Sequence, residues 1–278
     1  MTNTISAATA GPRADIGVIG GTGLYSLLPD TVDVRVDTPY GPPSAPIAVA
    51  EIDGRGVAFL PRHGTGHAHP PHRINYRANL WALRSLGVRQ VLAPCAVGSL
   101  RAELGPGSLV VPDQVVDRTS GREQTYFDDG AVHVSLADPY CPAGRTAVLK
   151  QAGELGLELT DGGTTVVIQG PRFSTRAESR WYARQGWSLV NMTGLPEAAL
   201  ARELALCYTS IALVTDVDAG VDAESAVSQE DVFEIFGRNI DRLRTLLAAV
   251  VPALPAEAER DCVCARAHDG LQLPFPLP

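Results

Sequence analysis

The sequence has little of what marks a secreted, membrane-spanning or polyanion-binding chain. Its five cysteines, Cys95, Cys141, Cys207, Cys262 and Cys264, are odd in number and irregularly spaced, unlike a disulfide framework. No uninterrupted apolar run reaches the length of about 18 residues that a bilayer span requires, and the opening MTNTISAATAGPRAD lacks the basic start and apolar stretch of a signal peptide. These absences predict a soluble, cytoplasmic protein with no membrane partner. Basic charge is also scarce: 23 Lys and Arg against 31 Asp and Glu leave a net charge of −8. Nucleic acid is therefore not an expected partner, because its binding needs concentrated cations to release counterions. A few basic groups still suffice for a small anion.

What is present is enough apolar material, 45% of 278 residues, to fill one substantial core. Residues 1–14 are small and polar and are expected to be disordered, leaving 15–278 as a single domain. Ile16 to Ile19 reads as a buried strand running into the glycine turn Gly20-Gly21-Thr22-Gly23, and Glu51 to Leu60 as a hairpin turning at Asp53-Gly54. A helix is predicted over about Ile74 to Leu86, with strands at Gln90 to Pro94, Ser108 to Val111, Thr164 to Ile168, Ser188 to Val190 and Cys207 to Thr215. Thr175 with Glu178, and Ser228 with Asp231, read as helix-capping patterns. The second opens a long amphipathic helix that Pro252 and Pro255 are expected to end. Alternating strands and helices predict an α/β fold.

Several residues carry chemical potential. The glycine turn can offer backbone N–H groups and the Thr22 hydroxyl to an anion, or be a plain tight turn; it lacks the lysine of a Walker A loop. Arg62-His63 offers a donor fork and an imidazole to an oxyanion, or a surface salt bridge. His63, His67, His69 and His72 lie within ten residues, but with no carboxylate or cysteine among them an ordered loop is expected and no metal site. Cys262-Val263-Cys264 reads as two free thiols or as a strained local disulfide. Asp216 and Asp218 follow a buried apolar run and should emerge at a strand's carboxyl end, where open α/β sheets place ligands. A partly desolvated carboxyl there stays protonated near neutrality and can serve a leaving group; a solvated turn is the alternative. Met192, in Asn191-Met192-Thr193, suits packing against a sugar or filling the core.

Taken in order, Ile19-Gly-Gly-Thr-Gly-Leu24, Thr38-Pro-Tyr-Gly41, Arg62-His-Gly64, Asn75-Tyr-Arg-Ala-Asn79, Gly98-Ser-Leu100, Asp117-Arg-Thr119, Gly170-Pro-Arg-Phe173, Asn191-Met-Thr193, Pro196-Glu197 and Thr215-Asp-Val-Asp218 resemble the methylthioadenosine phosphorylase branch of the trimeric purine nucleoside phosphorylase family. The resemblance implies a single-domain α/β fold with a central mixed, partly barrel-like sheet flanked by helices. It implies phosphorolysis of a 5′-modified purine nucleoside, with inorganic phosphate as co-substrate and no cofactor, by a homotrimer or a dimer of trimers. It assigns phosphate to Thr22, Arg62, His63, Cys95, Ala96 and Thr193. A threonine is usual where Cys95 stands, and a thiol is the poorer donor. It assigns the nucleoside to Gly98, Phe173, Val190, Asn191, Met192 and Thr215, with Asp216 and Asp218 on the purine edge as catalytic residues. His133 of a neighbouring chain would join Val232 and Phe233 at the 5′ group, where Gln229 replaces a common aliphatic residue. Members acting on 6-oxopurines generally carry Asn in place of the first aspartate, so Asp216 points to a 6-aminopurine. Related 5′-halogenated or 6-oxopurine nucleosides, a hydrolytic nucleosidase and a non-catalytic nucleoside-binding module remain as alternatives.

Overall fold

The structure, a computed structural model, describes residues 12–21, 30–219 and 227–278. In chain order its strands are β1 (Ile16–Gly20), β2 (Val32–Val34), β3 (Ile47–Ile52), β4 (Arg55–Pro61), β5 (Gln90–Ser99), β6 (Leu109–Val111), β7 (Gln114–Arg118), β8 (Leu159–Asp161), β9 (Thr164–Ile168), β10 (Leu189–Asn191) and β11 (Cys207–Val217). The helices are α1 (Tyr76–Ser85), α2 (Pro142–Glu154), α3 (Arg176–Arg184), α4 (Gly194–Glu203) and α5 (Gln229–Ala253).

All eleven strands join one mixed sheet whose main path is β2-β3-β4-β1-β5-β10-β9-β7, with β11, β6 and β8 branching from β5. β1, β5 and β11 are apolar almost throughout, as strands covered on both faces must be. One core joins α1 and α4 to one side of the sheet, and a second joins α2 and α5 to the other. In α5 the buried side chains Phe236, Leu243, Leu246, Leu247, Val250 and Val251 repeat at helical spacing. Each contributes roughly 1.5–3 kcal/mol by leaving water, and a cavity such as Leu246→Ala would cost about 2–5 kcal/mol.

The hairpin forms as expected: Asp53 and Gly54 adopt φ of 47° and 76°, the pair of positive values that a two-residue hairpin needs. Four expectations shift. Ala14, expected to be disordered, is buried and its N–H donates to Leu86 O; residues 1–11 lie outside the described part. α1 starts only after Asn75, whose side chain accepts from Ala78 N and caps the helix. β5 runs past Pro94 to Ser99, because an imino residue costs a strand only the hydrogen bond on its N–H side. α5 likewise runs through Pro252 to Ala253; a proline so close to the end removes one helical hydrogen bond without stopping the last turn.

The sheet's branching prepares a site. Along one edge of β5, residues 90–92 pair with β1 and residues 98–99 with β10. Between them, residues 93–97 have no strand partner on that edge among the described residues. β11 supports β5 along its opposite edge. Elsewhere Arg202 of α4 ties a distant segment down, donating to Ser135 O and Asp138 O at 2.6 Å each.

Candidate active site

A cavity of about 360 Å³ opens over the unpaired stretch of β5, a volume within the range of small-molecule sites. Its floor is Cys95, Ala96, Val97 and Gly98, and its walls come from β4's end, β10, β11, the Pro171 to Ser174 segment and the first turns of α5. Of the residues proposed from sequence, Arg62, His63, Cys95, Ala96, Gly98, Phe173, Val190, Asn191, Met192, Thr193, Thr215, Asp216, Asp218, Val232 and Phe233 all line it. Thr22 lies outside the described residues. His133 is exposed and is not part of the wall that its own chain builds.

At one end stand the acids. β11 carries a bulge between Val214 and Asp216, which puts Asp216 opposite Gly98. Thr215 Oγ1 donates to Asp216 Oδ2 at 2.9 Å. Burial pushes the Asp216 carboxyl up to about 6, opposed by the Thr215 bond and reinforced by the charge of Asp218. Burial raises Asp218 as well, and its Oδ2 is buried without a hydrogen-bond partner among the described residues. An orphaned acceptor of that kind is costly unless a donor arrives.

At the other end stands Arg62, 2% exposed at the end of β4. Its Nε and Nη2 donate to both oxygens of buried Glu197 at 2.8 and 2.9 Å, Nη2 also to Ile19 O and Nη1 to Pro94 O. Burial alone would lower this guanidinium's pKa, but the Glu197 charge more than offsets it and the cation is secure. Four of its five N–H groups are thus committed, leaving one on Nη1 for the cavity. The ion pair is buried, not at the surface.

His63 Nδ1 lies 2.9 Å from His69 O. A carbonyl only accepts, so Nδ1 carries the proton and Nε2 presents its lone pair. Burial first, and the stacked ring of His67 second, push His63 down to about 3. The imidazole is neutral, so its Nε2 offers a lone pair and not a second N–H. Thr193 is the N-cap of α4 and makes no side-chain capping bond. Cys95 is buried and its thiol pushed up by burial; Asn191 Nδ2 and Ser210 Oγ each lie 3.7 Å from its sulfur.

Met192 is seated from two sides. A Cβ on Gly170 would come within 2.6 Å of its sulfur, and Arg122 donates to Met192 O, Leu195 O and Gln169 O at 2.7 to 2.9 Å. Sequence reasoning missed Arg122 as a positioning group, and it missed Ser174, His67 and Phe236 in the wall. Ser174 sits between the noted Phe173 and the capping residue Thr175, which was the available signal. The histidine run supplies a stacked pair and a loop bond. Among the described residues, the side chains that converge with metal-ligand spacing are instead four cysteines: Cys141 and Cys207 join Cys262 and Cys264, a grouping hidden by their separation in sequence.

A pocket lined at one part by the buried Arg62 cation and the Thr193 hydroxyl and at another by the protonatable pair Asp216 and Asp218 is suited to glycosyl transfer. The sequence model of the phosphorylase superfamily matches residues 15–252, and the chain belongs to that family. Within it the chain falls in the methylthioadenosine phosphorylase branch. It is 60% identical to the S-methyl-5′-thioadenosine phosphorylase of Mycolicibacterium smegmatis, over 95% of this chain and 99% of that one. It is 62% identical to a purine nucleoside phosphorylase of Streptomyces coelicolor, over 96% and 98%. Among solved structures, a methylthioadenosine phosphorylase from an Antarctic soil metagenomic library superposes with a TM-score of 0.86 at 40% identity, covering 93% of this chain and 92% of that one. No described helix is long and apolar enough to cross a membrane.

Proposed function

We propose that this enzyme is a pentosyltransferase that cleaves the N-glycosidic bond of 5′-methylthioadenosine with inorganic phosphate, releasing adenine and the sugar 1-phosphate, without a cofactor. The observation that carries the reading is the opposition, within one cavity, of Arg62 and Thr193 at one end to Asp216 and Asp218 at the other. On this reading the C1′–N9 bond breaks with its electron pair passing to the purine, while a phosphate oxygen bonds to C1′ from the opposite face. Arg62 Nη1 and the Thr193 hydroxyl hold the phosphate in line. His63 Nε2 accepts from the P–OH that inorganic phosphate keeps at neutrality, a contact that selects phosphate over an aprotic anion.

Asp216, held near its charge transition, gives its proton or a hydrogen bond to N7 as negative charge builds there, help typically worth about 10² to 10⁴ in rate. The orphaned Asp218 Oδ2 accepts from the 6-amino group; a 6-oxo group would set lone pair against lone pair. Met192 packs on the ribose and Phe173 on the base. Val232, Phe233 and Gln229 surround the 5′ group, with His133 of a neighbouring copy in a homotrimer. Phe233 is 38% exposed within one chain, which leaves apolar surface for that neighbour.

The test is release of free base from 5′-methylthioadenosine, adenosine, inosine and 5′-halogenated deoxyadenosines, each with and without phosphate. Phosphate-dependent release, fastest with 5′-methylthioadenosine and slowest with inosine, is expected. Release that proceeds equally without phosphate would mark a hydrolase and overturn the proposal.

A further inference from the structure

Four of the five cysteines meet well away from the cavity. Cys141 is the N-cap of α2, Cys207 opens β11, and Cys262 and Cys264 return from the segment beyond α5. All four are buried and unpaired by disulfide, and their sulfurs lie within 4.8 Å of one another. We propose that they form a structural site for one thiophilic divalent ion, zinc above all, coordinated by four thiolates.

Size is the first argument. A zinc tetrathiolate with Zn–S of about 2.3 Å is a tetrahedron with edges of roughly 3.8 Å, and four sulfurs all within 4.8 Å of one another, with Cys207 and Cys262 at 3.2 Å, are on that scale. The surroundings are the second argument. Arg260 Nε donates to Cys207 Sγ at 3.3 Å, and Arg202 Nη2 donates to Cys264 Sγ at 3.5 Å. Each guanidinium places a positive charge beside a sulfur, which favours the thiolate over the thiol. Cys141, at the start of a 13-residue helix, meets the positive end of the helix dipole.

Charge is the third. When the ion binds, four thiol protons leave to solvent and no electrons change hands; four thiolates and a divalent cation then carry two negative charges. The two arginines, Arg202 buried and Arg260 half-buried, carry two positive ones, so the assembly is neutral overall, the condition under which buried charge is tolerated. The expected consequence is a clasp. Beyond the cysteines the chain continues to Phe275, which packs on Trp81 and Phe127, so the ion fastens the whole segment after α5 to the body.

The experiment uses the full chain, purified anaerobically under reducing conditions without chelator. Mass-spectrometric metal analysis should find about one zinc per chain, and replacement by cobalt should give the visible ligand-field and thiolate charge-transfer bands of a tetrahedral tetrathiolate. Removing the ion should lower Tm. A Cys262→Ser, Cys264→Ser double variant should lose the metal, whereas Cys95→Ser should retain it. Should the double variant fail to fold, zinc loading and the cobalt spectrum of the unmodified chain decide. Two results would overturn the site: a reduced, folded chain that retains no metal after incubation with zinc and desalting, or an intact mass showing the four sulfurs joined in two disulfides.

Discussion

Asp216 and Gly98 stand opposite each other on β11 and β5, and a Cβ built on Gly98 would lie 2.8 Å from Asp216 Oδ1. The carboxylate therefore occupies the space that any other residue at position 98 would fill.

Gly98→Ala should accordingly move Asp216 and leave the fold intact, since the clashing atom is a side-chain terminus. We expect kcat to fall by about two orders of magnitude, the scale of general acid help, with stability changed by less than about 1 kcal/mol. Steady-state kinetics beside urea unfolding check it, and unchanged kcat would detach Asp216 from the chemistry.

The displaced Asp216 carboxyl makes stability depend on pH. Its folded pKa is about 6 against an ordinary 3.8, so the fold binds the proton more tightly than the unfolded chain does. That contribution is fully present below pH 3.8 and is lost as pH rises through 6. The shift is worth at most about 3 kcal/mol, and about 2 kcal/mol once solvent screening at the open side of the cavity is allowed for. Relative to Asp216→Asn, which carries no charge at any pH, the native chain should lose that amount between pH 4 and 8 in urea titrations. Parallel curves would contradict the shift.

Glu197 joins the buried Arg62 and also accepts from Tyr208 OH at 2.7 Å. Glu197→Ala leaves the Arg62 cation buried without its counter-charge and should cost about 3–5 kcal/mol. Tyr208→Phe removes one charge-assisted bond and should cost about 1.5–3 kcal/mol. Denaturant midpoints distinguish the two; equal effects would mean that the ion pair adds nothing beyond the tyrosine.

Cys95→Thr should tighten phosphate. A hydroxyl donates better than a thiol, and one added hydrogen bond of about 1 kcal/mol corresponds to a roughly fivefold lower phosphate KM. A raised KM would show that the sulfur's contacts with Asn191 and Ser210 matter more than the donor it offers.

Much of this architecture is legible in the residue string, and the failures have causes. Buried runs such as Ile16 to Ile19 declare themselves by uninterrupted apolarity, and Thr175 with Glu178 forms the full reciprocal cap that its spacing implies. Asp216 and Asp218 were recognisable because an apolar strand delivers them. What spacing conceals is convergence through the tertiary fold. Nothing near Arg62 in sequence reveals that Glu197 claims two of its donors, nor that the His69 carbonyl fixes the tautomer of His63. Cys141 and Cys207 are likewise meaningless one at a time, because their partners arrive only with the return of the C-terminal segment.

Arg202 reaches from α4 to the carbonyls of Ser135 and Asp138. Backbone oxygens exist whatever the side chains, so the route of this stretch is dictated from outside and its composition is left open. His133, two positions before the first anchor, thus sits on an interchangeable cassette. Swapping the residues around it would change what the chain presents to its surroundings while leaving the path in place.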